Sequence, residues 1–239
     1  QPRFAVISNV PTATPQEIIH GNERVLRARL GDAQFFYQQD KKNKLADRVE
    51  KLGNVVYHNK LGSQLQRVQR LQKLAGEIAR KLKADEAEAE RAAYLCKADL
   101  LTDMVGEFPE LQGTMGRYYA LNDGEPASVA DAIQNHYLPK GGGDNLPQDK
   151  IAISVALAEK LDTLTGIYGI GLVPTGDKDP FGLRRAALGV LRILIENKLA
   201  LDVNELLQLS KAAFPREVLA DSVTVDLHSF ILERLKNYL

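Results

Sequence analysis

Residues 92–120 read AAYLCKADLLTDMVGEFPELQGTMGRYYA, and the rest of the chain is read against this stretch. Over 93–108 the apolar residues Leu100, Leu101, Met104, Val105 and Phe108 recur at helical spacing. Asp99, Asp103 and Glu107 border them as a row four residues apart, so the spacing predicts one helix with a greasy stripe beside an acidic one. Pro109 ends that helix, and Gly113 and Gly116 permit a tight polar turn into Arg117, Tyr118 and Tyr119. A carboxylate row of this kind suits a metal or acid/base site, but its commoner role is the solvated border of a helix.

Upstream, residues 4–10 (FAVISNV) are β-branched and apolar and predict a strand, one that belongs to a sheet mostly outside this chain. Thr14-Pro15-Gln16-Glu17 is a capping box with proline at the first helical position, which predicts a helix to about Leu30 bearing Arg24, Arg27 and Arg29. Gly31 marks a break or kink. The following DAQFFYQQDKKNKLADRVEKL predicts a second charged helix ending at Gly53, its middle made basic by Lys41, Lys42 and Lys44. From Ser63, a cap with Gln66 three residues on, Leu65, Val68, Leu71, Leu74, Ile78 and Leu82 trace a narrow apolar face with Gln and Arg opposite.

Downstream, 128–138 predicts a short helix and PKGGGDNLP (139–147) the most flexible connection, a long surface loop or a cover over a site. A helix over 149–169 puts Val155, Ala158, Asp162, Thr165 and Gly169 on one face. Asp162 among small residues must find a hydrogen bond, a cation or a metal, because a bare buried carboxylate is costly. Asp179 and Pro180 predict the start of a helix with Leu183, Ala187, Val190, Leu191 and Leu194 inward, leaving Arg184, Arg185 and Arg192 for other work. Arg185 and Arg192, seven apart, share a face that suits two phosphates or two acidic partners. Asp202 with Glu205 caps a further helix, Pro215 breaks it, and Asp226 begins the last. The fold class expected is all-α.

The totals bound the function. With 239 residues a sizeable core can form. Lys plus Arg and Asp plus Glu both number 31, so nucleic-acid contact must come from a local patch and not from a global field. The single cysteine, Cys96, cannot close an internal disulfide and fits a reducing, cytosolic setting as a small core residue. No apolar run suits a bilayer span, so no membrane partner is expected. Gln1 in place of a methionine, and a last residue within a helical pattern, lead us to expect a piece of a longer chain. No phosphate-binding loop, Cys-x-x-Cys, HExxH or GxSxG is present. His20, His58, His136 and His228 lie at no metal-ligand spacing, and no zinc site is expected.

Five ordered blocks carry a resemblance: GNERVLRARLGDAQFFYQQD (21–40), KLGSQLQRVQRL (60–71), KADLLTDMVGEFPELQGTMGRYYA (97–120), ALAEKLDTLTGIYGIG (156–171) and GDKDPFGLRRAALGVLRIL (176–194). They closely resemble the β subunit of bacterial glycyl-tRNA synthetase, from about Phe4 to the end of the chain. The resemblance implies a heterotetramer of two α and two β subunits. The α subunit would activate glycine with ATP and Mg²⁺, and the β subunit would serve glycine tRNA binding and aminoacyl transfer in the cytoplasm. By that implication 1–52 is the end of an upstream module with connecting helices, 53–200 a degenerate HD-like helical domain, and 201–239 a helical linker towards a C-terminal domain.

HD enzymes hold a divalent metal with a histidine, a His-Asp pair and a later aspartate. Carried onto this sequence, the first histidine falls near Gln64, the pair on Ala98-Asp99, and the late aspartate on Asp162. Two of the four ligands are missing, so the resemblance implies a vestigial site with no catalytic residue, cofactor or stoichiometric metal in this part. The expected role is tRNA binding and inter-domain scaffolding, with Arg184, Arg185, Arg192, Arg24, Lys41 and Lys42 meeting the phosphate backbone. The alternatives are a metal-dependent HD phosphohydrolase, against which Ala98 argues, and a purely structural scaffold that docks the α subunit.

Overall fold

The computed structural model describes residues 3–9, 11 and 13–238. Their fold is all-α apart from one small hairpin. The first helix, α1 (Pro15–Asp40), starts at its proline as expected and runs through Gly31 without a break. Nothing lies within 4 Å of where a Gly31 side chain would stand. The helix therefore carries the propensity cost of that glycine, roughly 1 kcal/mol, without being bent by a neighbour. It ends instead at Asp40, whose carboxylate accepts the amides of Asp103 and Met104 at 2.9 and 3.0 Å, the Tyr119 hydroxyl at 2.8 Å and Arg48 at 3.3 Å. The predicted second helix is reduced to a 3₁₀ segment, Ala46–Asn54, which buries Val49 and Leu52. The predicted strand is also corrected: residues 4–9 are exposed and form no regular element, and Val10 lies outside the described residues.

The hairpin β1 (Val56–His58) and β2 (Gly62–Ser63) leads into α2 (Gln64–Leu82). Gly62 sits at φ +88°, and a side chain there would collide with Gln66, which folds back to accept the Ser63 amide at 2.9 Å. Together with the bond from the Gln66 amide to the Ser63 hydroxyl this is the expected capping box. Val68, Leu71, Leu74, Ile78 and Leu82 are buried as predicted. Lys83 turns the chain in a left-handed conformation, and α3 (Glu86–Leu95), capped by Asp85, packs back through Ala89, Ala92 and Ala93.

The helix predicted over 93–108 is in fact a series of short turns: a 3₁₀ segment Ala98–Leu101, α4 (Asp103–Glu107), a second 3₁₀ segment Pro109–Leu111, and α5 (Thr114–Asn122). Asp99 is the cause. It is fully buried and accepts the Gly113 and Gly116 amides at 2.6 and 3.1 Å. Thr102 then ends the 3₁₀ segment and caps α4, its hydroxyl donating to the Asp99 carbonyl and accepting from the Val105 amide. The distant amides on Asp99, together with the Thr102 cap, thus outcompete the continuous helix that the apolar period favoured. Asp103 and Glu107 remain at the surface, Glu107 pairing with Arg29 of α1.

After α6 (Ala127–Asn135) the chain enters α7 (Lys150–Thr163), which continues into a π-helical turn, Leu164–Tyr168. This is the central helix, buried on nearly every side between α2, α3, α6, α8 (Leu183–Glu196) and α9 (Val203–Ala212). Asp179 accepts the amides of Leu183 and Arg184 as a cap should, but the helix starts at Leu183, three residues later than the proline suggested. Asp202 caps α9 as expected. The last helix, α10 (Val223–Tyr238), begins before Asp226 and lies against α8 and α9; Leu239 is outside the described residues.

Candidate functional site

Arg67 and Arg70 stand three apart on α2, and Glu159 and Asp162 stand three apart on α7. Because the two helices pack side by side, the i, i+3 pairs meet as a ladder. Arg70 donates to Asp162 through Nε at 2.6 Å and through a terminal nitrogen at 3.3 Å, while Arg67 Nε reaches the same carboxylate at 3.2 Å. The terminal nitrogen of Arg67 donates to Glu159 at 2.9 Å and to the Thr163 hydroxyl at 2.7 Å. Lys97 donates to the same Glu159 oxygen at 2.9 Å and to His136 Nε2 at 2.9 Å. The chain of charge therefore runs Arg70, Asp162, Arg67, Glu159, Lys97. Asp162 is 1 % exposed and Lys97 2 %.

Aromatic faces cover all three cations: Tyr57 over Arg67 at 4.1 Å, Phe214 over Arg70 at 4.2 Å and Tyr137 over Lys97 at 4.2 Å. Burial alone would raise the Glu159 carboxyl, but Arg67 and Lys97 outweigh it and hold the group far below the usual carboxylate range. Burial likewise opposes the Lys97 charge, and Glu159 overcomes it to hold the ammonium protonated. Burial and the adjacent Lys97 push His136 well below the ordinary histidine range. Since an ammonium can only donate, Nε2 accepts from Lys97 and the protonated Nδ1 donates to the Ile133 carbonyl at 2.6 Å. Burial pushes the Cys96 thiol up to about 12, so it is no nucleophile.

Of the residues expected as a vestigial metal set, only Asp162 belongs to this ladder. Gln64 opens α2 with its Oε1 buried and unpaired, Ala98 is buried in the 3₁₀ turn, and Asp99 and Asp162 have separate partners, backbone amides for one and guanidiniums for the other. A divalent cation would have to displace those guanidiniums from Asp162, so the donor set does not fit one. Among the described residues no three His, Cys, Asp or Glu side chains gather as a metal site. What the arrangement does chemically is lock α2, α7, α6 and the turn carrying Lys97 in register.

The predicted basic residues divide three ways. Arg192 is turned inward, donating to the Gly141 and Asp144 carbonyls at 3.0 Å each and to Glu196 at 2.6 Å, and so ties down the glycine loop 139–147. Arg184 and exposed Arg185 come together with Arg234 and Tyr238 of α10 around a shallow hollow of about 250 Å³. Arg184 donates to the Gly176 carbonyl at 2.5 Å, whereas Arg185 forms no ion pair among the described residues. Arg24 is exposed on α1; Lys41 lies over Tyr37 at 5.2 Å and Lys42 donates to Gln39 at 2.7 Å, so these two are apart from Arg24 by about 25 Å of helix. Sequence reasoning missed Arg67, Arg70, Lys97, Glu159 and His136. The matched i, i+3 spacing of two cations on one helix and two acids on another was the signal that could have found four of the ladder's members.

A family model described as "Glycyl-tRNA synthetase beta subunit" matches residues 1–239. Curated relatives named "Glycine--tRNA ligase beta subunit" include one from Neisseria meningitidis serogroup C, 59 % identical over 233 residues, which is 98 % of this chain and 34 % of the relative. Others are from Aromatoleum aromaticum, 60 % identical over 238 residues, 99 % of this chain and 34 % of the relative, and Ralstonia nicotianae, 58 % identical over 237 residues with the same coverage. The chain thus spans about a third of the length of the curated relatives it matches. With a match across its whole length and this degree of identity, the chain belongs to the glycyl-tRNA synthetase β-subunit family.

Proposed function

We propose that this chain is an internal to C-terminal-side helical part of the β subunit of a glycine–tRNA ligase, where it contributes to tRNA binding and inter-domain scaffolding. ATP-dependent glycine activation lies in the α subunit of an assembly of two α and two β chains in the cytoplasm. The observation that carries the RNA-binding half is the arginine face where α8 meets α10: Arg184, Arg185 and Arg234 converge there, Glu233 pairs with Arg234, and among the described residues no carboxylate pairs with Arg185. Guanidiniums held this way suit a phosphate backbone, which is recognised by charge and shape in a chain of zero net charge. The scaffolding half is supported by α1, whose Ile19, Val25, Leu26 and Leu30 are exposed on a helix that the core holds only at its C-terminal end. The degenerate HD assignment of residues 53–200 belongs to the same reading, with guanidiniums standing at Asp162 where an HD enzyme has a metal.

A gel-shift titration of glycine tRNA against the full-length β subunit, and against a deletion lacking this region, tests the reading. Lost binding with the α–β assembly still formed supports it. Lost assembly with RNA affinity retained by the β subunit would leave only the scaffold. Arg185→Ala should lower the dependence of log affinity on log salt by about 1; an unchanged slope removes the α8/α10 face from the RNA contact.

A further inference from the structure

A second cationic feature lies at the Arg70 end of the ladder. Between the β1–β2 hairpin, the first turns of α2 and the segment after α9 is a hollow of about 400 Å³. Lys60, Gln66, Gln69 and Lys73 form its polar rim, and Arg70 and Phe214 its inner wall. Its lining contains three cations and no carboxylate, in a chain whose acids and bases are equal in number. Lys60 and Lys73 are exposed and make no ion pair among the described residues.

The ladder supplies an independent reason for this hollow to attract an anion. It alternates three cations with two carboxylates and so has a cation at each end. At the Lys97 end, neutral His136 accepts a hydrogen bond, and Lys97 also feels the charge of the buried Asp99. At the Arg70 end, Asp162 is already shared with Arg67. A guanidinium has five N–H groups. Those of Arg70 make three hydrogen bonds, two to Asp162 and one of 3.3 Å to the Leu61 carbonyl. The under-compensated end of a buried ion chain thus forms the wall of a pocket rimmed by two lysines and two amide side chains. In such a low-dielectric wall a cation's field is screened less than at open surface.

We propose that this hollow binds a phosphate group, with Lys60 and Lys73 closing on it and the Arg70 guanidinium behind. Gln66 and Gln69 offer amide N–H donors to its oxygens. The phosphate is either a phosphodiester of bound RNA or that of a small phosphate ester; the RNA source rests on the tRNA-binding reading above, whereas the small-ester source stands without it. The site is distinct from the α8/α10 face, so each is tested by its own residues.

The test compares the full-length β subunit with its Lys60→Ala/Lys73→Ala variant, both changes being at exposed positions that leave the ladder intact. Two readouts are taken: glycine tRNA affinity across a salt series, and the shift in Tm caused by inorganic phosphate at millimolar concentration with chloride matched. If RNA supplies the phosphate, the variant binds tRNA about tenfold more weakly and its salt slope falls by about 2. If a small ester supplies it, tRNA binding is unchanged, and a saturable rise in Tm with phosphate is seen in the parent and lost in the variant. Identical behaviour of parent and variant in both readouts overturns the proposal. Because Arg185→Ala probes only the other face, a null result there with a positive one here separates the two ideas.

Discussion

Two pairs of arginines, Arg67 with Arg70 and Arg184 with Arg185, occupy helices of similar pattern and come to opposite ends. On α2 the pair is buried and shares Asp162, with Glu159 taking the rest of Arg67. On α8 the pair is at or near the surface, where it shares a hollow with another arginine, Arg234, itself paired with Glu233. The difference is set by the facing helix. α7 presents two acids at the matching interval, whereas the acids that α10 brings near Arg184, Asp226 and Glu233, form no ion pair with Arg184 or Arg185 among the described residues. An arginine's role is therefore written in its neighbour's sequence as much as in its own.

The sharpest way to break this comparison is to remove the shared acid. Asp162→Ala leaves two guanidiniums in the interior with one carboxylate between them, and should destabilise the protein by about 3–5 kcal/mol in denaturant unfolding, the range for breaking a buried pair from one side. Replacing all three members together, Arg67→Met, Arg70→Met and Asp162→Leu, should cost far less, because no buried charge is then left unpaired. Equal losses in the two variants would mean that packing and not charge compensation holds α2 to α7.

Lys160, next to the ladder's Glu159, is a buried cation that lacks such an answer. Among the described residues its ammonium reaches only the Tyr137 carbonyl, at 3.4 Å, and burial pulls its pKa down from 10.5 to about 8. Between those two values the folded Lys160 has released a proton that the unfolded chain still binds, so its contribution to stability rises with pH across that window. Below about 8 the folded state carries the full cost of the buried charge, which at 1.36 kcal/mol per unit is about 3 kcal/mol. Lys160→Met should abolish this slope between pH 8 and 10.5 and be more stable than the parent at pH 7. A parallel pH–stability curve for the two proteins would show that Lys160 keeps an ordinary pKa in the fold.

Much of the scaffold is legible in the sequence where local chemistry decides it. The Ser63–Gln66 box, the Asp202 cap, the proline start of α1 and the buried stripe of α2 all follow from nearest neighbours. Three features are not, and each has a distant cause. Residues 93–108 break because Asp99 bonds amides fourteen and seventeen residues later. The end of α1 is fixed by amides more than sixty residues away that dock on Asp40. The ladder itself needs the pairing of α2 with α7, which no local pattern states. Asp162 was legible as a carboxylate that needed a partner; the partner's identity as arginine was not.

Within α8 the same contrast can be drawn between two residues on one face. Arg192 holds two loop carbonyls and Glu196, and Asn197 adds a bond of 3.3 Å to the Pro147 carbonyl from the next turn. Arg192→Ala should release the 139–147 loop and destabilise the fold by about 1–2 kcal/mol, since four hydrogen bonds from a guanidinium are lost, two of them to Glu196, and the loop can rehydrate its carbonyls. Limited proteolysis would read the release directly, with faster cleavage near Gly141–Gly143 than in the parent. An unchanged cleavage pattern would mean that the loop is held by its own turn, where Asp144 accepts the Lys140 amide at 2.8 Å.

The smallest expected effect is at Arg185, and its smallness is informative. The guanidinium lies over Gly182 without an acid partner among the described residues, so Arg185→Ala should change unfolding free energy by no more than about 0.5 kcal/mol, as for other surface substitutions. Removing one like charge from beside Arg184 and Arg234 should even relieve some repulsion. A stability-neutral residue whose loss weakens tRNA binding would be held for its ligand, the reverse of Arg67 and Arg70. A loss of stability well above 0.5 kcal/mol would instead put Arg185 with the structural pair on α2, because an arginine that the fold needs must be answered somewhere within the fold.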